Sequence, residues 1–287
     1  MKLMIRAHDL SARGENDIVK QLDELGLDGV QLVAYKSIDG ITYDKGALSV
    51  ERAKNIGDTL KRSGKSVGLI GAYFNPVHPN EAKIQKGIDV FSDYLSLTSH
   101  LGCDVVGSET GSYMGDPWGF HEDNRTQEAK NRVVAVFSAL ADTAARYGAR
   151  VGIEGAFNHV CHTPDVLDEV IRRIDRPNVG VIFDLYNYLD ISNYLDAYSI
   201  LDRGHELFGK DIILYHLKDF RVGDGKLIQC AVGDGIIDYK KVIAEIYRVN
   251  PDATLVFEGT SEHDIARSVA YIREIIENTT KRYNVAL

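Results

Sequence analysis

Four ionisable residues stand at the ends of four consecutive apolar segments in the second half of the chain. They are Glu154 in VGIEGAF, Asp184 in VIFDLYN, His216 in LYHLKDF and Glu258 in LVFEGT. Successive members are 30, 32 and 42 residues apart, which is one strand–helix unit each. If these segments are parallel strands of one sheet, their end residues converge, and three crowded carboxylates repel one another unless a cation neutralises them. The set therefore predicts a site for one divalent metal ion.

The donor atoms indicate which metals suit the site. Three carboxylates and one imidazole favour Mn²⁺, Mg²⁺ or Co²⁺ over a thiolate-seeking ion, and Zn²⁺ also accepts histidine and carboxylate ligands. The alternative is that each residue is a strand-end group whose polar atoms are satisfied by hydrogen bonds or water. Four such residues in register on successive strands favour the metal site over that alternative.

Eight short apolar runs, each followed by a segment of helical period, form the frame that must position these residues. The predicted strands are 2–7, 29–33, 66–73, 104–108, 150–154, 179–184, 212–216 and 254–258. A predicted helix over 131–147 shows the apolar face, and Thr163-Pro164 is typical of a helix start. Eight units recurring about every 36 residues indicate an α/β protein with a single (β/α)8 barrel, spanning residues 1–287 as one domain.

Composition narrows the classes of function. The chain has 287 residues, is 44% hydrophobic and 26% charged, and carries 33 Lys and Arg against 42 Asp and Glu, for a net charge of -9. This acidity disfavours nucleic acid and anionic membranes as partners. Three separated cysteines, no signal-peptide pattern and no long apolar run favour a cytoplasmic protein with no membrane partner.

Several motifs resemble the xylose isomerase-like TIM barrels, the sugar phosphate isomerase/epimerase superfamily that includes ketose 3-epimerases and is related to endonuclease IV. The resemblance covers nearly the whole chain and is most specific in IEGAFNH, RPNVGVIFDLYN, YHLKD and GDGIIDY, with Glu258 closing the series. It implies that Glu154, Asp184, His216 and Glu258 bind one divalent metal. It also implies that Glu154 and Glu258 are the catalytic acid/base pair, acting on a sugar or sugar phosphate through a metal-stabilised enediolate.

One such site could serve several reactions. Returning the abstracted proton to the opposite face inverts the carbon, whereas returning it to the neighbouring carbon isomerises the sugar. The same intermediate could expel a β-hydroxyl, so an inosose-type dehydratase is the alternative enzyme. A non-catalytic sugar-binding barrel is a further alternative, and the sequence leaves a homo-oligomer open. A DNA-repair endonuclease is disfavoured by the net charge and by Asn187, which replaces a histidine of that family.

Departures from the family pattern indicate which residues select the substrate. Asn187 stands where ketose 3-epimerases carry histidine, and Val222 stands where they carry arginine, with Arg221 one position earlier. Strand alternation places Lys218 on the same face as His216, where it could contact a substrate oxygen or phosphate. Alternatively, Lys218 simply pairs with Asp219 or a neighbouring carboxylate. We expect Asn187, Lys218 and Arg221 to contact substrate.

Three more residues follow the predicted strands and could line the same pocket. Glu109 follows the fourth strand, His8 ends the first, and Trp118 lies in a long loop after the fourth. Each is a candidate substrate contact, and each could instead be an ordinary loop or packing residue. The turn Gly233-Asp234-Gly235 could bind phosphate through its backbone N–H groups, or be a plain glycine turn.

Overall fold

A computed structural model describes residues 1–285 of the chain. Its strands are β1 (Lys2–Arg6), β2 (Gly29–Leu32), β3 (Ser66–Gly71), β4 (Val105–Glu109), β5 (Arg150–Glu154), β6 (Val179–Asp184), β7 (Ile212–Leu217), β8 (Asp219–Gly223), β9 (Lys226–Cys230) and β10 (Thr254–Phe257). All except β8 and β9 pair in parallel and close a barrel in the order β1-β10-β7-β6-β5-β4-β3-β2. The predicted (β/α)8 barrel is confirmed, and each predicted strand matches an observed one to within two residues at either end.

Helices surround the barrel. Those of the described residues are α1 (Glu15–Leu25), α2 (Ala34–Ser37), α3 (Val50–Arg62), α4 (Glu81–Leu101), α5 (Gln127–Ala145), α6 (Pro164–Ile174), α7 (Ala197–Phe208), α8 (Tyr239–Val249) and α9 (Glu262–Val285). Thr163 caps α6 by accepting from the N–H of Val166, as the sequence predicts. Helix α5 begins four residues before the predicted start because Thr126 caps it through the N–H of Ala129. None of the described helices is long and apolar enough to cross a membrane.

The barrel interior is closely packed below the site. All six residues of β6 are buried, which is typical of a parallel strand covered on both faces. The Ile182 side chain fills the space beside β4 and β5, where a Cβ added to Gly107 would lie 2.5 Å from Ile182 Cδ1 and one added to Gly152 would lie 3.0 Å from it. This packing holds β4, β5 and β6 in a fixed relation to one another, and all three of these strands end in predicted site residues, Glu109, Glu154 and Asp184.

Strands β8 and β9 form an antiparallel hairpin that the sequence analysis missed. Asp224 and Gly225 lie at its tip with φ of 50° and 67°, which are the positive values that a tight two-residue hairpin turn requires. The dipeptide Asp224-Gly225 is typical of such a turn and could have predicted the hairpin from the sequence. The hairpin follows β7 directly, so it extends from the end of the barrel where the predicted site lies.

The carboxylate of Asp219 anchors this hairpin to the glycine turn before α8. It accepts hydrogen bonds from the backbone N–H groups of Phe220, Gly233, Gly235 and Ile237 at 2.9 to 3.2 Å. These N–H groups are the ones that a phosphate at the turn would use. The structure therefore supports the plain glycine turn, with an internal carboxylate in the place of an external anion.

Candidate metal centre at the barrel mouth

The four predicted ligands converge at the carboxyl ends of adjacent strands. Glu154 ends β5, Asp184 ends β6, His216 is the penultimate residue of β7, and Glu258 follows β10. One potential ligand atom from each lies within 4.8 Å of the other three. The Nδ1 atom of His216 is the centre of the group, 3.2 Å from Glu154 Oε1, 3.2 Å from Glu258 Oε2 and 3.5 Å from Asp184 Oδ2. The structure thus brings together all four residues that strand-end spacing selects.

The chemistry of this cluster fits a divalent cation. Asp184 Oδ2 is buried and makes no hydrogen bond to any of the described residues, although Lys218 Nζ lies 2.9 Å away. Burial alone would lower the pKa of His216, but the carboxylates of Glu154 and Glu258 reverse this effect and raise it to about 10. The surrounding negative charge therefore favours the protonated form of the His216 imidazole. A metal ion would supply that positive charge instead, and three oxygens and one nitrogen are suitable donors for it.

Lys218 and Asn187 border the cluster and contact its members directly. Lys218 Nζ lies 2.6 Å from Glu258 Oε1 and 2.9 Å from Asp184 Oδ2, and it donates to Asn187 Oδ1 at 3.0 Å. The Asn187 amide in turn donates to Glu154 Oε1 at 2.7 Å. As predicted, Lys218 lies on the same side as His216. The carboxylates that it contacts are those of Asp184 and Glu258, and not that of Asp219.

The two glutamates have different neighbours. Both lie 3.2 Å from His216 Nδ1, and Glu154 otherwise accepts from neutral donors, the amide of Asn187 and the hydroxyl of Tyr73 at 3.2 Å. Glu258 faces two further cations, with Arg6 Nη1 2.8 Å from the same Oε1 that Lys218 contacts. Burial alone would raise the pKa of Glu258, but Lys218 and His216 lower it well below its usual range. Glu154 is therefore the carboxylate with the less positive surroundings.

Arg6 is a site residue that sequence reasoning missed. Its guanidinium makes a forked pair with Asp9 at 2.8 and 2.9 Å while its third nitrogen reaches Glu258. Arg6 is the last residue of β1, so the strand-end rule that selected the four ligands could have found it. The sequence analysis selected His8, two residues later, for this part of the pocket.

Glu109, His159 and Trp118 line one cavity together with Lys218. Glu109 ends β4 and pairs in register with Glu154. Its burial, reinforced by the charge of Glu154, raises the pKa of Glu109 well above the usual value for a carboxyl. His159 Nδ1 lies 3.1 Å from Glu109 Oε2 without hydrogen-bond geometry, and its ring packs edge-on against Trp118 with centroids 5.7 Å apart.

Two cavities open at the mouth of the barrel, and Glu109 and Trp118 line both of them. The first, of about 250 Å³, also contains Lys218 and Asn187. The second, of about 220 Å³, also contains Glu258 and His8. The structure therefore places five of the six predicted substrate contacts around one cleft.

Arg221 is the exception among the predicted substrate contacts. Its side chain is 63% exposed on β8, where Nε donates to the carbonyl oxygen of Asp234 at 2.8 Å. The hairpin carries this residue away from both cavities. The expectation that Arg221 contacts substrate is therefore not supported, and Arg6 is the arginine beside the cluster.

Comparison with known proteins agrees with this geometry. Residues 19–276 match the family model described as xylose isomerase-like TIM barrel. The chain belongs to this family.

Individual relatives are distant. An uncharacterized protein of Methanocaldococcus jannaschii is 23% identical over 206 residues, which cover 71% of this chain and 67% of that protein. An inosose isomerase of Bacillus subtilis is 26% identical over 102 residues, about a third of each chain. Among solved structures, a D-tagatose 3-epimerase-like protein superposes with a TM-score of 0.77 at 19% identity, covering 99% of this chain and 100% of that one. At that identity, the superposition shows the fold alone.

Proposed function

We propose that the protein is a divalent-metal-dependent isomerase or epimerase of a sugar or sugar phosphate. The observation that carries this proposal is the convergence of Glu154, Asp184, His216 and Glu258 on one point at the barrel mouth. Glu154 ends β5 and Glu258 follows β10. These two strands are the outer members of the row of adjacent strands β10-β7-β6-β5. They can therefore reach a substrate carbon from different sides.

The four residues would hold one metal ion, and each glutamate would also move a proton. When bound, the ion supplies Lewis-acid polarisation of a substrate carbonyl, which acidifies the adjacent C–H. We assign the removal of that proton to Glu154, because apart from His216 its contacts are the neutral amide of Asn187 and hydroxyl of Tyr73. Glu258, held by Arg6 and Lys218, would act from the other side, where its carboxylate would pass to the carbon a proton taken from the Lys218 ammonium 2.6 Å away, and this would invert the carbon.

The cavity walls suit a polyhydroxylated substrate. Aromatic side chains line both cavities, Tyr186 and Trp118 in one and Tyr35 and Tyr73 in the other, and aromatic faces pack against the C–H surfaces of sugars. The Lys218 ammonium lies within reach of a hydroxyl or phosphate oxygen placed in the first cavity. Asn187, Glu109 and His8 would supply the remaining polar contacts.

The decisive experiment is a screen for proton exchange. Ketoses and ketose phosphates are incubated in D₂O with the purified protein and added Mn²⁺, Mg²⁺ or Co²⁺, and deuterium at carbon is measured by NMR and mass spectrometry. We expect metal-dependent incorporation into at least one substrate, and loss of it in Glu154→Gln. Absence of exchange across the panel, in protein shown to contain metal, would overturn the proposal.

One observation favours a dehydratase as the second candidate. The raised pKa of Glu109 favours the protonated form of a carboxyl beside the cluster, and a leaving hydroxyl needs a proton from such a group to depart as water. A probable 3-DHS dehydratase of Bacillus anthracis superposes on this chain with a TM-score of 0.72 at 15% identity, covering 96% of this chain and 99% of that one. Detection of a 1,2-dicarbonyl product from an inosose would favour this reaction, whereas an epimer would favour the first.

A further inference from the structure

A chain of hydrogen bonds links two of the four cluster residues through side chains that lie outside the cluster. His216 Nε2 lies 2.6 Å from Gln31 Oε1. The Gln31 amide nitrogen donates to Tyr73 Oη at 2.8 Å, and Tyr73 Oη donates to Glu154 Oε2 at 3.2 Å. Gln31 is fully buried on β2, separated from β7 in the barrel by β1 and β10. Its side chain therefore spans the barrel interior to reach the histidine.

The direction of this chain follows from its end at Glu154. The Tyr73 hydroxyl has one hydrogen, which it donates to Glu154 Oε2. The tyrosine oxygen is then free to accept from the Gln31 NH₂ group, which turns the amide oxygen of Gln31 toward His216. Facing an acceptor, Nε2 of His216 must carry a hydrogen. In a neutral imidazole, the lone pair then belongs to Nδ1.

Nδ1 is also the ring atom at the centre of the cluster. It lies 3.2 Å from an oxygen of Glu154 and 3.2 Å from an oxygen of Glu258, whereas Nε2 is already bonded to Gln31. The tautomer that the hydrogen-bond chain selects therefore presents its lone pair where a metal would have to be.

We propose that Gln31 is a positioning residue that assigns Nδ1 of His216 as the metal donor, and that Tyr73 holds the Gln31 amide in the required orientation. This inference rests on the proposed function, because it presumes a metal in the cluster. A metal-ligating histidine typically donates its second N–H to an outer partner that fixes ring and tautomer, and losing that partner weakens metal affinity by roughly 10- to 100-fold. Gln31 holds that place here.

The test compares three variants with the wild-type chain. Gln31→Met keeps the size of the side chain but cannot accept from Nε2, Gln31→Glu keeps the acceptor, and Tyr73→Phe removes the hold on the amide. Gln85→Met, on the exposed surface of α4, is the matched control. Zn²⁺ affinity is measured by chelator competition, and long-range ¹H–¹⁵N NMR of the Zn²⁺-loaded proteins reports which nitrogen of His216 carries hydrogen.

We expect Gln31→Met to bind Zn²⁺ roughly 10- to 100-fold more weakly, Tyr73→Phe to fall between it and the wild type, and Gln31→Glu to bind within a few-fold of the wild type. The wild-type spectrum should show Nε2–H. Circular dichroism identifies any variant that fails to fold. If Gln31→Met does not fold, the metal affinities of Tyr73→Phe and Gln31→Glu test the positioning role.

The outcomes separate this inference from the function on which it rests. A wild-type chain that binds no metal overturns both. The positioning role alone is overturned if the wild-type chain binds metal and both Gln31→Met and Tyr73→Phe match it in metal affinity and in the His216 spectrum. Weak binding in Gln31→Glu equal to that in Gln31→Met would also overturn it, because the acceptor would then make no difference.

Discussion

Lys218 places its ammonium 2.6 Å from a carboxylate oxygen of Glu258, inside the set of groups that would hold a metal. Burial alone would lower the pKa of Lys218, but Asp184 and Glu258 outweigh this effect and raise it above its ordinary value. The lysine is therefore charged at neutral pH. A fixed cation at this point repels a metal ion, but it also donates to substrate oxygens. Lys218 should therefore weaken the binding of the metal and strengthen the binding of the substrate.

The variant Lys218→Met should separate these effects. Removing the positive charge should strengthen Mn²⁺ binding, by roughly tenfold, because like charges a few ångströms apart repel even in water. The value of kcat/KM for the best sugar should fall by an amount equivalent to about 1.5 to 3 kcal/mol, since a charge-assisted contact is lost. Calorimetric metal titration and steady-state kinetics on one preparation measure both. Lys226→Met, on the exposed hairpin, should change neither, and weaker metal binding in Lys218→Met would contradict the repulsion argument.

Removal of a cluster residue should abolish metal binding. We expect His216→Ala and Asp184→Asn to lose affinity for Mn²⁺ by more than the roughly 10- to 100-fold typical of losing an outer partner. His263→Ala, on the exposed first turn of α9, is the control and should retain the wild-type stoichiometry. Elemental analysis after dialysis provides the measurement. Unchanged metal content in His216→Ala would remove this residue from the proposed ligand set.

The two glutamates should differ in their effect on proton exchange. Glu154→Gln and Glu258→Gln each keep the shape of the site while removing a base, and a lost general base costs at least about 10²-fold in turnover. Because Glu154 has the less positive surroundings and is assigned the removal of the proton, its variant should show the larger loss in the initial rate of deuterium incorporation. The experiment uses protein with measured metal content, so that exchange is compared at equal occupancy. Wild-type exchange in either variant would exclude that residue as a proton carrier.

Metal affinity should rise with pH. In the metal-free protein the pKa of His216 is raised to about 10, so at pH 7 the imidazole is protonated, and binding must displace that proton from Nδ1. Below pH 10, each unit of increase should therefore strengthen binding by about tenfold. Calorimetry in buffers of different ionisation enthalpy should detect release of about one proton per metal at pH 7.5. Affinity that is constant between pH 6.5 and 8.5 would show that His216 binds no proton in the free site.

The fold and the convergence of the four candidate ligands could be predicted from the sequence because both depend on local pattern. Apolar runs separated by helical segments locate the strands, and the residue at each strand end then lies at the mouth of the barrel. Contacts such as that between Gln31 and His216 join residues 185 positions apart, and they depend on how the closed barrel brings β2 and β7 across its interior. Such a contact leaves no periodic mark in the sequence.

Arg221 shows a second limit of prediction from the sequence. Its position was compared with a family pattern, but the β8–β9 hairpin determines where the side chain points, and that hairpin was missed. The single domain over residues 1–287 and the cytoplasmic location stay predictions.

The glycine turn before α8 can be tested by stability. A Cβ at Gly235 would collide with the Asp219 carboxylate and with the carbonyl oxygen of Phe220. Gly235→Ala should therefore destabilise the protein by about 1 to 3 kcal/mol, as overpacking at a closed site does. A fall in the thermal midpoint measures this loss. Gly14→Ala, where an added Cβ meets no described residue within 4 Å, should have a smaller effect, and equal midpoints for the two variants would contradict the role assigned to the turn.

The anchoring of Asp219 has a practical consequence for protein engineering. Lys218 and Asp219 are adjacent in the chain, yet one side chain reaches the metal cluster and the other closes the glycine turn. Segments 216–220 and 233–237 are therefore one transplantable module. Exchanging one of these segments for that of another barrel while keeping the other would separate the Asp219 carboxylate from its N–H partners, and the loosened backbone would then displace the adjacent Lys218.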